Sequence, residues 1–203
     1  MSAETVNEHN MQTWTHPEPR LRFGTKFASH MPAGPWTSEP DKAQWIDPAT
    51  DLDCLIVRGP MGALCGYVGV PPEHPWHGKG YNECLVDGCT EEWCYEHSPE
   101  AAVRVHGGLT FADACRESDD PSKGICHVPL PGRSHDVWWF GFDCAHAGDL
   151  TVYDVAKAEQ EEHRYPWAVC AEGQYRDIAY VTEEVAALAR QLVTKPNAPA
   201  SDA

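Results

Sequence analysis

The chain has 203 residues, of which 42% are hydrophobic with eight Trp, enough for one domain with a sizeable core. A formal charge of -16 excludes a surface that wraps nucleic acid, because no basic stripe is left to neutralise phosphates; it suits a self-repelling surface or one that occupies a basic protein partner. No apolar run approaches the ~20 residues that cross a bilayer, and the polar, acidic stretch from Met1 to Gln12 is unlike a secretory signal, so a cytoplasmic protein without membrane contact is expected.

Residues 1–30 mix His, Pro, Glu and Arg without a sustained period and read as a flexible arm. From Met31 to Asp51, Pro32, Pro35, Pro40 and Pro48 alternate with Trp36 and Trp45, which predicts an irregular segment lying across the core. Residues 53–58 and 63–70 are β-branched and aromatic runs around Gly59-Pro60-Met61-Gly62, the pattern of a hairpin. The loop that follows, residues 71–80, carries three prolines, Trp76 and two histidines, His74 and His77. Prolines stiffen it as a binding rim, so His77 is a candidate general base or substrate holder; a surface His in a turn is the equal alternative.

Nine cysteines is an odd number that cannot all pair, and in a reducing compartment thiols serve as core residues or metal ligands more often than as disulfides. Cys84, Cys89, Cys94 and His97 bring four soft donors within fourteen residues, with Gly88 free to turn between them. Three Cys and one His suit tetrahedral zinc, but the C-x4-C-x4-C-x2-H spacing is not a common finger, and reduced, partly buried thiols stand as the other reading. Residues 102–106 read as a strand ending in His106, with Gly107 and Gly108 removing side chains where a ligand would sit; a strand-end His capped by its turn is the alternative. Residues 124–129 look like a short edge strand, and Cys115, Cys126 and His127 form a weaker ligand set.

The most informative stretch is 136–149. Trp138, Trp139, Phe140 and Phe142 predict a buried strand, and Asp143, His146 and Asp149 follow it, separated by small residues. Packed indoles behind such groups would hold them still. Residues 153–163 read as an exposed helix or a loop. Thr182 as N-cap, Glu183 and Glu184 in the first turn, and Val181, Val185, Leu188 and Leu192 on one face predict an amphipathic helix over 182–193, and the Pro, Ala and Ser of 195–203 predict a disordered tail. The fold class expected is α+β, a mainly antiparallel sheet with the C-terminal helix packed on it, in a single domain spanning 31–194.

Gly-Pro-Trp at 34–36, Trp-His-Gly at 76–78, Val-His-Gly-Gly-Leu-Thr-Phe at 105–111, Trp-Trp-Phe-Gly-Phe-Asp-Cys-Ala-His-Ala-Gly-Asp at 138–149 and Tyr-Arg-Asp-Ile-Ala-Tyr-Val at 175–181 together resemble a family of uncharacterised bacteriophage and prophage proteins. The resemblance implies an accessory phage role in the host cytoplasm and single-domain size, brings no activity with it, and makes 84–97 look like an insertion.

Three functions compete. In the first, His106, Asp143, His146 and Asp149 hold zinc or manganese and the protein is a small metal-dependent hydrolase, with Asp149 alternatively orienting His146 from behind. In the second, the aromatic loops form a binding module that sequesters a nucleotide signal or blocks a host defence protein. In the third, these residues cap turns and satisfy buried backbone, and the protein is a structural component of the virion.

Overall fold

The computed structural model describes residues 4–6, 11–15, 31–86, 95–116, 124–164 and 172–194. Seven strands form one sheet: β1 (Glu4–Val6), β2 (Met11–Trp14), β3 (Lys42–Ile46), β4 (Asp53–Arg58), β5 (Leu64–Val70), β6 (Phe111–Ala114) and β7 (Trp138–Asp143). Their order is β1-β2-β3-β4-β5-β7-β6, and each neighbouring pair is antiparallel. Among the described residues three α-helices accompany the sheet: a single turn, α1 (Pro99–Ala102), then α2 (Val152–Arg164) and α3 (Ile178–Thr194). The α+β architecture is as expected, and none of the described helices is long and apolar enough to cross a membrane.

The expected hairpin is β4 and β5. Its turn is closed by Gly59 N donating to Ala63 O at 2.8 Å and Gly62 N to Gly59 O at 2.9 Å. Period-two alternation then separates two apolar layers. Ile56, Val68, Phe140 and Phe142 face α3, whose Val181, Val185, Leu188 and Leu192 are all fully buried. Leu55, Tyr67 and Trp139 face the other side. Gly66 is what lets α3 lie so close: a Cβ there would stand 2.6 Å from Val185 Cγ2.

Several expectations are corrected. Two strands, β1 and β2, lie inside the segment read as a flexible arm, and β3 lies inside the proline-rich segment read as irregular, because Pro40 and Pro48 flank five residues free to pair with β4. Residues 102–106 are not a strand. Ser98 caps α1 by accepting from Ala101 N at 3.2 Å with Pro99 at the first helical position, and the sheet's outer strand is instead β6, beyond the glycines. Residues 124–129 form no strand either; side chains of β3 bind that backbone, Lys42 Nζ donating to Cys126 O at 2.7 Å and Gln44 Oε1 accepting from Val128 N at 2.7 Å. The last helix starts four residues early, at Ile178. Asp177 caps it through Tyr180 N at 2.8 Å, while Thr182 lies inside the helix and donates to Ile178 O. Residues 153–163 belong to α2, which starts at a reciprocal cap between Thr151 and Asp154 and buries Val152 and Ala156. The tail, 195–203, lies outside the described residues.

Candidate metal centre

Three elements meet beyond the end of β7. The first is the turn 105–108, closed by Gly108 N donating to Val105 O at 3.0 Å, with φ of 66° at Gly107 and 88° at Gly108. Only glycine takes both positions without strain, so the chain reverses there and projects His106 toward the end of β7. A Cβ on Gly107 would stand 2.8 Å from His146 Nε2 and closer still to Nδ1 and Cε1 of that ring, so the imidazole rests on bare backbone.

The second element is the turn after β7. Asp149 N donates to His146 O at 2.9 Å, and Asp149 Oδ2 accepts from His146 N at 3.0 Å, so backbone and side chain close the same turn. The third is the approach to α3. Gln174 N donates to Gly148 O at 2.9 Å and Leu150 N to Gln174 O at 3.0 Å, which aligns 172–177 beside Asp149 and delivers Arg176 to it.

His106, His146 and Asp149 thereby each offer one donor atom, all within 4.8 Å of one another. His106 Nε2 stands 2.7 Å from Asp149 Oδ2, and its Nδ1 stands 2.9 Å from Tyr180 Oη. The His106 backbone N donates to Glu184 Oε2 at 2.9 Å. The side chain of Asp149 is 1% exposed, and its Oδ1 accepts from Arg176 Nε at 2.8 Å. Burial pushes this carboxyl up, but hydrogen bonds from Arg176, His106 and His146 N outweigh it and hold it below the ordinary carboxylate range. It is therefore ionised, so in a neutral His106 ring the proton sits on Nε2 and Nδ1 accepts from Tyr180. Burial raises the Tyr180 phenol, which stays protonated. His146 Nδ1 is buried without a hydrogen bond.

The remaining candidates fall elsewhere. Asp143 shares the parity of Trp139 along β7 and points away from α3; its carboxylate accepts from Thr110 Oγ1 at 2.9 Å and Ala145 N at 3.1 Å, and comes only to 3.7 Å from His146 Nδ1. It steadies the turn instead of joining the three donors. His77 faces Asp136 Oδ1 at 3.5 Å and the Trp138 ring, at the start of β7, a strand length of roughly 17 Å from the turn that holds His146. That position removes it as a base for this site. His74 binds Leu192 O at 2.8 Å and ties its loop to α3. Cys89 and Cys94 lie outside the described residues; Cys84 and His97 are half-buried and exposed on strands of backbone joined by Leu85 N donating to His97 O. Cys144 is buried beside the site, and burial pushes its thiol up, so it stays protonated and packs as an apolar residue.

Arg176, Tyr180 and Glu184 escaped the reading of the sequence. Arg176 and Tyr180 do fall in the Tyr-Arg-Asp-Ile-Ala-Tyr-Val stretch, Arg176 just before α3 and Tyr180 in its first turn. Comparison of the chain with family models, with curated proteins and with solved structures finds no match.

Proposed function

We propose that His106, His146 and Asp149 bind one divalent ion, zinc or manganese, and that the protein is a metal-dependent hydrolase of a small polar substrate. The observation that carries this reading is the buried, unbonded Nδ1 of His146 in a group whose other members already have their outer partners. Buried ring nitrogens without a partner are costly, and a metal ligand is a common reason for one.

Bonds of ~2.0 to 2.2 Å to one ion would set neighbouring donors roughly 3.3 Å apart, so the 2.7 Å contact between His106 and Asp149 is one that an ion would open slightly in replacing a proton. The support around it then fits. Nδ1–H of His106 would donate to Tyr180 Oη, and Arg176 would hold the far oxygen of Asp149, the arrangement that fixes ring orientation and ligand basicity at metal sites. With three protein ligands, a fourth position is left for water, whose pKa such an ion brings near neutrality. The resemblance of 105–111 and 138–149 to phage proteins sets this activity, as part of the proposal, among accessory functions in the host cytoplasm.

The test is to strip the purified chain with chelator, reload it with zinc or manganese, and assay model phosphoesters, esters and amides. Turnover restored by metal and lost in His146→Ala supports the hydrolase. A chain that takes up metal but turns over none of them is the binding module that holds a nucleotide signal or a host defence protein. One that takes up no metal at these residues leaves them a structural role.

A further inference from the structure

A second group of soft donors lies on the other face of the sheet. Cys115 follows β6, and Cys126 and His127 lie on the segment bound to β3. Their donor atoms also fall within 4.8 Å of one another, and the two cysteines form a disulfide. We propose that this group is a redox-gated site for a thiophilic divalent ion: with the disulfide reduced, Cys115 Sγ, Cys126 Sγ and His127 hold zinc, and with it oxidised the site is closed.

Four features of the surroundings favour thiolates and a metal over an inert crosslink. His127 Nδ1 faces Cys115 Sγ at 3.9 Å, as a third ligand should. Trp139 Nε1, itself in the fully buried indole of β7, donates toward Cys115 Sγ at 3.4 Å, and an N–H aimed at sulfur stabilises its negative charge. Lys42, 2% exposed, donates its ammonium to Cys126 O at 2.7 Å and so fixes the backbone that carries Cys126 and His127. His127 also lines a cleft of about 320 Å³ with Gln44 and Asp53, which gives an ion an approach to the histidine side of the group.

The chemistry balances with a dithiol as reductant. One of its thiolates attacks a sulfur of the Cys115–Cys126 bond, forming a mixed disulfide and releasing the other cysteine as thiolate; its second thiolate then attacks the dithiol's own sulfur in that bond, releasing the second cysteine, and the dithiol leaves as a cyclic disulfide, having given two electrons. Two protein thiols remain. Each loses its proton to solvent as its sulfur binds the ion, so two thiolates and one neutral imidazole neutralise the doubly charged metal, with water in the fourth position. None of these donors belongs to the group around His146, whose two imidazoles and one carboxylate contrast with the two thiolates here, so this site is the more thiophilic of the two.

The experiment uses cobalt(II) as a spectroscopic probe on the full chain, before and after treatment with a dithiol, followed by displacement with zinc. Only thiolate ligation produces a sulfur-to-cobalt charge-transfer band, so a centre of His and Asp does not register. The expected result is a band that grows in on reduction at one cobalt per chain, is displaced by zinc, and is missing from Cys115→Ser and Cys126→Ser but retained in Cys84→Ser. The comparison of oxidised with reduced wild type needs no substitution, so it stands even where a serine variant folds poorly. A wild type without any reduction-dependent band, or a band undiminished in Cys115→Ser, overturns the proposal.

Discussion

Substituting Gly107 separates the roles of backbone and imidazole at the candidate centre. In Gly107→Ala the new methyl meets the His146 ring, with Nε2 at 2.8 Å, so the ring must leave its place on the turn. The residue must also hold φ at 66°, which costs a non-glycine residue about 1–2 kcal/mol. Gly108→Ala is the matched control: φ is 88°, but the nearest atom to its methyl is Glu100 Oε1 at 3.4 Å, a tight contact that a flexible carboxylate can relieve. Gly108→Ala should therefore lower Tm by roughly 2–8 °C for a domain of this size, and Gly107→Ala by at least as much. Only Gly107→Ala should weaken zinc binding, by at least the roughly 10- to 100-fold that loss of a ligand's supporting partner costs. Thermal denaturation of the metal-free proteins and zinc titration by calorimetry measure the two quantities independently. Equal zinc affinities in the two variants would refute the claim that the ring on Gly107 is a ligand.

Tyr180→Phe removes the hydroxyl that meets His106 Nδ1 and should lower zinc affinity by about 10-fold or more with little change in Tm; an unchanged affinity would mean that Tyr180 does not orient His106. Because the carboxyl of Asp149 is held below its ordinary range, it adds stability that is fully present above the usual carboxylate pKa and is lost as pH falls through its own lower value. Arg176→Gln removes one of the hydrogen bonds responsible, so the acid-unfolding midpoint should move to higher pH, and a midpoint that stays put would contradict the assignment. At the start of α3, Asp177→Ala should cost about 1 kcal/mol in urea denaturation, whereas Thr182→Ala, inside the helix, should cost less; the reverse order would restore Thr182 as the cap.

Legibility in the sequence followed the range of the interactions. The hairpin of β4 and β5, the strand β7 and the apolar face of α3 are local patterns of period two or 3.6, and each lies where its pattern put it. The strand expected over 102–106 failed because Ala-Val-Arg-Val alternates without a neighbour to pair with, while the Ser98-Pro99 cap nearby favoured a helical turn. Prolines concealed β3, since their density outside a five-residue strand says nothing of its interior. At the site, glycines beside His106 and small residues around His146 marked the two turns correctly. Asp143 does approach His146, at 3.7 Å, but strand parity sends it to the face of Trp139 and away from the group of His106, His146 and Asp149. Tyr180, Arg176 and Glu184 were not legible because they reach the site from 74, 27 and 78 residues away, and nothing local distinguishes them from ordinary polar flanks of a helix. The Cys115–Cys126 disulfide runs against the expectation that the thiols serve as core residues or metal ligands more often than as disulfides, while Cys115, Cys126 and His127 do come together as the ligand set the sequence suggested.

The central claim is that His106, His146 and Asp149 share one ion, and metal stoichiometry tests it most directly. Full-length protein with the Cys115–Cys126 disulfide intact, equilibrated with zinc and freed of excess, should carry one ion more per chain than His146→Ala treated identically, with both proteins showing the same circular dichroism. Equal metal content in two folded proteins would contradict it.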